Sequence, residues 1–590
     1  MWSRRVLLVA VAVWATAAPS TAELLEMVLL HTNDMHSRFD ETDAYCNECR
    51  EQDIAQNICY GGFARVAAVV KQEKAKAKEQ NLPSLFVVAG DTYQGTPYFS
   101  FFKWKPVVDF INQLKPDVTT LGNHEFDGGV QGLIPYLNLT TSIPVVVSNM
   151  DLTKEPELTK FIRTSYVLTL NGTKVGFVGY LTPDTKNLAQ IDGVQLLDEI
   201  ETLKKESKRL RDQGVNIIIG LGHSGIERDI QIAKQVEDID LIVGGHSHTF
   251  LYTGEPPDID KPMGPYPVLV NSTNGKVIPV LQAYAHTKYL GKVNIRFDSA
   301  GNLLEINGSP ILLNYKIEKD QEMEAIVKQW KPKIVEVTSV KVGHTIVELM
   351  NTCHTSECNL GNLIADAFVF YNLRNTNQSI TQWTDASIGI IQAGGIRSSI
   401  NETGHDGDIS MGQLLTVMPF INKLIKLTIP GSSVLEAFEN SVFDYDATRG
   451  SNQFLQVSGA LVEYDITRPP GNRVVKLFLR CRECQVPKYE PIILNANYTL
   501  IMPEYIAMGG DKFTSFAKEP RETQPIGVED YNATAVYMKM ISPITVGVEN
   551  RISFTVNNDS SSAANRYARI TDILIISVLT VFVHQYYYFL

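Results

Sequence analysis

Val118-Thr119-Thr120-Leu121-Gly122-Asn123-His124-Glu125-Phe126-Asp127 joins a short apolar run to a turn carrying an amide, an imidazole and two carboxylates. The run predicts a buried strand. The polar residues then stand at its carboxyl end, where open α/β sheets place their sites. Asn123 can offer a metal its side-chain oxygen. His124 can donate or accept a proton, and Asp127, three residues on, can hold the other ring nitrogen. Glu125 and Phe126 read as scaffold. Alone the string is not specific, because loops also use Asn, His and Asp as caps. Its meaning depends on what other strand ends carry.

From Glu23 to about Leu313 the chain alternates apolar runs with amphipathic stretches. Met27–Leu30, Leu85–Ala89, Val118–Leu121, Val145–Val147, Val175–Val178, Val215–Gly220 and Leu241–Val243 predict strands. Phe63–Lys78 and Ile200–Gln213 predict helices, with apolar residues at helical spacing. The pattern is that of a layered α/β domain. Four more polar clusters follow apolar runs: His31-Thr32-Asn33-Asp34-Met35-His36, Gly90-Asp91-Thr92, Gly222-His223-Ser224 and Gly244-Gly245-His246-Ser247-His248. Strand ends of one sheet lie side by side, so the clusters are expected to converge.

This inventory suits two divalent metal ions. Asp34, His36 and His248 can hold one; Asn123, His223 and His246 the other; Asp91 can bridge them with its two oxygens. Mixed imidazole and carboxylate ligands favour zinc, with manganese or another transition metal as alternatives, over calcium or magnesium. Two such ions can clamp the attacking and leaving oxygens of a displacement at phosphorus and lower the pKa of water toward ~7. His124 is then free to meet the phosphoryl oxygen or the leaving group, with Asp127 orienting it.

The 590 residues exceed one ordinary core, which sets an expectation of two large domains. The net charge of −12, with no basic or aromatic-interleaved patch, excludes nucleic acid as a partner. Arg4-Arg5, the apolar run Val6–Ala18 and Ser20-Thr21-Ala22 form a secretory signal peptide, with the mature chain beginning near Glu23. Sequons at Asn138, Asn171, Asn271, Asn307, Asn377, Asn401, Asn497, Asn532 and Asn558 fit that route. In an oxidising compartment Cys353/Cys358 and Cys481/Cys484 are local pairs, and Cys59 pairs with Cys46 or Cys49, leaving one thiol. Near the carboxyl end, a small-residue cluster (Asp559–Ala564), a polar spacer (Asn565–Asp572) and the apolar tail Ile573–Val583 form a glycosylphosphatidylinositol attachment signal at Ser560, Ser561 or Ser562. A single-span anchor is the rival reading.

The set D-x-H, G-D, G-N-H-E-x-x-D, G-H and G-G-H-x-H resembles the calcineurin-like metallophosphoesterase signature. Leu30–Arg38, together with Gly61-Gly62-Phe63-Ala64-Arg65, resembles the 5'-nucleotidase family, specifically lipid-anchored ecto-5'-nucleotidases and apyrases, from about residue 25 to 555. The resemblance implies an N-terminal metallophosphoesterase β-sandwich flanked by helices and a C-terminal α/β substrate-binding domain. It also implies a hinge rotation that brings them together, and a homodimer. The expected division is 1–22 leader, 23–314 dimetal domain, 315–337 linker helix, 338–556 nucleotide-binding domain and 557–590 anchor signal. Lys316–Trp330 predicts the linking helix, ended by Pro332. Leu360–Tyr371 predicts a helix and Ile388–Gln392 a strand.

Gln392-Ala393-Gly394-Gly395-Ile396-Arg397 is a Gly-rich turn whose arginine can fork onto phosphate. The resemblance places Phe420 and Tyr505 around the base and Asp511 on the ribose. It also exposes departures: His354 stands where many relatives have a phosphate-binding arginine, Gln392 begins a turn that usually starts with Asn, and Met508 replaces a frequent Asn. A partly charged His354 can still contact phosphate. The expected activity is extracellular, membrane-anchored hydrolysis of nucleoside 5'-phosphates, AMP to adenosine, with an apyrase acting on ATP and ADP as the alternative. A catalytically weak nucleotide-binding surface protein is a third reading.

Overall fold

The computed structural model describes residues 25–298, 301–376, 382–401, 406–518 and 520–555. The expected leader and its cleavage point, the Asn377 and Asn558 sequons and the anchor signal lie outside the described residues. The chain forms two compact units. The first holds the described residues to Glu348 together with Arg397–Ile421 and Met538–Ile544; the second holds Leu349–Ile396, Asn422–Tyr537 and the described residues from Thr545.

In the first unit, Leu25–Thr32, Ser84–Ala89, Val118–Thr120, Val145–Val146 and Ile162–Arg163 run parallel in that spatial order, with antiparallel Tyr289–Phe297 beside Leu25–Thr32. A six-stranded sheet has a second parallel core of Thr173–Leu181, Ile217–His223, Leu241–Val243 and Val277–Leu281. Side chains alternate across a strand, and here both faces are buried. Leu25, Met27, Leu29, Leu85 and Val87 join Ile217, Ile219, Leu241 and Val243 in the core between the sheets. Their neighbours Val28, Leu30, Phe86 and Val88 face outward onto Phe63, Val66, Val70 and Phe110. Ile218 and Ile242 face Leu203, Leu210 and Ile232. Helices therefore cover both outer faces of a β-sandwich, and strands buried twice read as continuous apolar runs.

One expectation is corrected. The five ligand-bearing strand ends do not belong to one sheet. Those after Leu25–Thr32, Ser84–Ala89 and Val118–Thr120 belong to the larger sheet, and those after Ile217–His223 and Leu241–Val243 to the smaller. They converge because the sheets pack face to face. Gly179 sets part of that approach. A Cβ there would lie 1.8 Å from the Val146 carbonyl oxygen of the opposite sheet, while Ser148 donates to the Gly179 carbonyl through its N–H (2.8 Å) and hydroxyl (2.7 Å).

The helix expected at Lys316–Trp330 is Gln321–Thr338, because the Asp320 carboxylate caps it by accepting from Met323 N. Pro332 lies inside it rather than ending it. Pro332 is exposed, so water can satisfy the carbonyl its missing N–H releases. Met323, Val327, Trp330 and Ile334 pack into the outer core, and the Trp330 indole donates to Asp109 Oδ2 at 2.9 Å.

The second unit has a five-stranded sheet in the order Leu455–Ser458, Ile388–Gln392, Asn497–Pro503, Lys423–Pro430, Glu522–Glu529, and a four-stranded sheet ending on Ile552–Phe554. Helix Asn359–Asn375 packs on the first two of these strands. Disulfides join Cys353 to Cys358 and Cys481 to Cys484. In the first unit Cys49 pairs with Cys59, and Cys46 is left as a buried free thiol.

Gly179→Ala is expected to force the two sheets apart and cost about 2–3 kcal/mol, read as a lowered denaturation midpoint of the purified protein.

Candidate active site

The turns that leave the strand ends are left-handed. Asp34, His36, Asp91, His246 and His248 have φ of 49°, 48°, 53°, 77° and 48°. This is a costly conformation for residues other than glycine, and it persists where surroundings over-determine it. The surroundings are hydrogen bonds between loops. Asp34 N donates to Gly90 O (3.1 Å) and His36 N to Asp91 O (3.0 Å). The buried Arg38 guanidinium donates to His36 O and Gly95 O.

The expected metal ligands do gather. His36 Nε2 lies 3.0 Å from His248 Nε2, and Asp34 Oδ1 is 3.3 Å from the latter. On the other side, His246 Nδ1 is 2.9 Å from Asn123 Oδ1. Asp91 stands between: its Oδ2 is 3.8 Å from His36 Nε2 and 3.0 Å from His223 Nε2. The far ring nitrogens are committed to backbone carbonyls. His223 Nδ1 donates to Ala89 O at 2.7 Å and His36 Nδ1 to Gln94 O at 3.0 Å. These bonds fix the tautomers and turn each Nε2 lone pair toward the cluster.

Two features show that the residues fit cations. His223 Nε2 is buried without a hydrogen bond of acceptable angle, even though Asp91 is near. The Nε2 atoms of His36 and His248 meet head-on, an arrangement that needs a proton or a cation between the lone pairs. The field agrees. Burial alone would lower the His223 pKa, but Asp91 and Asp34 outweigh it and push it up to about 10. Against its own burial, Asp91 is held well below the usual carboxylate range by His223 and His124. Beside these carboxylates positive charge is favoured, whereas burial keeps His36 and His246 neutral, pushing His246 down to about 4.

His124 sits beside the cluster. Its Nδ1 is 2.8 Å from Asp127 Oδ2, which also accepts from Gln94 Nε2 at 2.8 Å. Burial would depress this imidazole, but Asp127 and Asp91 outweigh burial and raise its pKa. By position His124 could also join His36 and Asp91 as a ligand. The His124 ring stacks on Phe420 at 5.9 Å, and the Arg397 guanidinium lies 5.9 Å over the Phe420 ring. Pro419 O, next to Phe420, accepts from Ser100 Oγ at 2.8 Å.

Arg397 and Phe420 thus gather with the metal cluster in the first unit, whereas His354, Gln392, Tyr505 and Asp511 belong to the second. There, Tyr505 OH is 3.4 Å from Asp511 Oδ1 and accepts from Asp511 N. Gln392 is buried, and its Oε1 has no partner among the described residues. His354 is half-buried.

Three contributors were not anticipated. Glu125, read as scaffold, is the knot of the site: its buried carboxylate accepts from Gly122 N (2.6 Å), Thr92 N (2.8 Å), Asp91 N (2.9 Å) and Tyr93 N (3.0 Å). Asn33 spans Ala283 N and Tyr284 O, at 2.8 and 2.6 Å. His286 brings a further imidazole against His36 and His248. The sequence held a signal for it, the apolar run Val277–Leu281, which is short and broken by Pro279.

The fold and this cluster define a metallophosphoesterase: residues 27–250 match the calcineurin-like phosphoesterase family. Residues 341–518 match the 5'-nucleotidase C-terminal domain. A 5'-nucleotidase of Diplobatis ommata is 41% identical over 540 residues, covering 90% of each chain. The Homo sapiens 5'-nucleotidase is 40% identical over 541 residues, covering 90% of this chain and 92% of its own. The solved structure of a 5'-nucleotidase precursor from Thermus thermophilus superposes with a TM-score of 0.80 at 30% identity, over 90% of this chain and all of that one. The chain belongs to the 5'-nucleotidase family and is a metal-dependent phosphoric ester hydrolase. No helix among the described residues is long and apolar enough to cross a membrane.

Glu125→Ala leaves four buried N–H groups without their acceptor. It is expected to cost at least about 3 kcal/mol and to lower metal content, read by thermal melting and elemental analysis.

Proposed function

We propose that this enzyme removes phosphate from nucleoside 5'-monophosphates outside the cell, AMP to adenosine being the leading case. The observation that carries the reading is the meeting of His36, His223 and His246 around Asp91 and of His223 and His248 around Asp34, with the His124–Asp127 pair alongside. The names of the relatives, 5'-nucleotidase in vertebrates and in a bacterium, support the substrate class.

Asp34, His36 and His248 would hold one ion and Asn123, His223 and His246 the second, with Asp91 available to both. When bound, two divalent ions, zinc by the chemistry of the donors, neutralise the phosphoryl oxygens and make water a competent nucleophile near neutral pH. Arg397 forks onto the phosphate oxygens. His124, with Nδ1 held by Asp127, has Nε2 free to donate its proton to the departing 5'-oxygen as the P–O bond breaks. Phe420 and Tyr505 flank the base, whose stacking is worth ~1–3 kcal/mol in nucleic-acid binders. Asp511 accepts from the ribose hydroxyls, and Gln392 and His354 complete the substrate contacts. A lipid anchor at Ser560–Ser562 and a homodimer belong to the same reading, supported by the carboxyl-terminal pattern and the family resemblance.

Phosphate release from AMP, ADP and ATP, measured in parallel, tests the substrate. AMP is expected to be hydrolysed fastest; release from ADP with none from AMP would make the enzyme an apyrase. Asp91→Ala should abolish release, and activity surviving that change overturns the dimetal assignment. His124→Ala is expected to lower kcat by about 10²–10⁴, the range of a positioned proton donor, with both ions retained, whereas Asn123→Ala should weaken one ion. Loss of both ions from His124→Ala would reassign that imidazole as a ligand. Phosphatidylinositol-specific phospholipase C should release the protein from cells, and retention favours a protein span.

A further inference from the structure

His286 has no part in the assignment above. It lies just beyond the strand Val277–Leu281. In the smaller sheet that strand pairs with Leu241–Val243, which in turn pairs with Ile217–His223. Three adjacent strands therefore deliver imidazoles at the same end: His223 from one, His246 and His248 from the next, His286 from the third. The nitrogens of His36, His248 and His286 all lie within 4.8 Å of one another. Ring centroids are 5.5 Å apart for His36–His286 and 5.3 Å for His248–His286.

The chain is built to hold His286 there. His286 N donates to Asp34 O at 2.8 Å, tying it to a ligand residue of the other sheet. Tyr284, His286 and Thr287 are all left-handed, with φ of 62°, 58° and 60°. Asn33, next to Asp34, pins the start of this segment through Ala283 N and Tyr284 O. Such strain in three non-glycine residues persists only where the surroundings enforce it. A structural histidine would turn its ring to a nearby acceptor. Among the described hydrogen bonds none uses the His286 ring, so no protein oxygen competes for its nitrogens, which lie within 4.8 Å of those of His36 and His248.

We infer that His286 is a further metal ligand, joining Asp34, His36, His248 and the bridging Asp91 at the first position. The inference rests on the dimetal reading and deepens it. The two positions then differ in kind: the first offers three imidazoles, the second two imidazoles and the Asn123 amide. Nitrogen-rich sites favour zinc and cobalt over manganese, so the first position should discriminate against manganese more strongly than the second.

The test is cobalt(II) titration of the metal-free full-length protein against a competing chelator, followed by elemental analysis, visible absorption and proton NMR. The wild-type protein should bind two ions per chain. His286→Leu is expected to weaken one of them by more than the about 10–100-fold that loss of an outer partner costs, leave the other unchanged, and alter the visible spectrum. In the cobalt-loaded wild type, hyperfine-shifted exchangeable signals should count His286 among the ligands, and His286→Leu should remove one. Unchanged affinities with unchanged spectra overturn the inference, as does equal weakening of both ions. A wild-type protein that fails to bind two ions would instead sink the dimetal reading. If the metal-free His286→Leu protein melts lower than wild type, the wild-type NMR count alone decides.

Discussion

Two buried carboxylates, Asp34 and Asp91, stand among imidazoles where two sheets meet, and much of the first unit serves to keep them there. Left to themselves they would repel, and each pays heavily for burial. The imidazoles hold both below the ordinary carboxylate range. The backbone cost is separate: each left-handed residue in these turns adds of order 1–3 kcal/mol. Loop-to-loop hydrogen bonds, the Arg38 guanidinium and the Glu125 carboxylate offset that cost locally. The doubly buried strands offset it globally, because none can shift by one residue without exchanging its inner and outer faces.

Rigidity at this centre follows from its position. The clustered carboxylates and imidazoles come from two sheets whose spacing is set by close contacts such as Gly179 against Val146. Small changes in that spacing would alter every distance between the Asp34 and Asp91 group and the His223, His246 and His248 group. Interiors packed to crystal-like density transmit such strain rather than absorb it. The His124–Asp127 pair, by contrast, arises within one short turn and depends less on the approach of the sheets.

Much of this was legible in the sequence, for a physical reason. Strands buried on both faces are apolar throughout, so Leu25–Thr32, Ser84–Ala89 and Ile217–His223 announced themselves, and Asp, Asn and His after such runs mark the ends. What the sequence did not disclose was pairing. Nothing local distinguishes one sheet from two, so the convergence was expected for the wrong geometric reason. Glu125 was undervalued because its role lies in four N–H groups, three of them more than thirty residues away in sequence. His286 carries little local signal, because the strand before it, Val277–Leu281, is short and contains Pro279. Pro332 misled because a proline on the exposed side of a helix loses a bond that water replaces. In the substrate region Arg397 and Phe420 lie beside the cluster, while the departures at His354, Gln392 and Met508 have no counterpart in the metal set.

The leftover thiol of Cys46 has a kinetic meaning. Cys46, Cys49 and Cys59 offer three possible pairings within one short loop, and the folded chain contains the one that joins Cys49 to Cys59. Shuffling to another pairing requires a thiolate to attack the disulfide. Burial pushes the Cys46 thiol up to about 12, more than Arg38 and Lys288 can offset. Near neutral pH only about one thiol in 10⁵ is then ionised, so the third cysteine lacks the charge needed to attack a bond whose nearer half, Cys49, follows it closely in the chain.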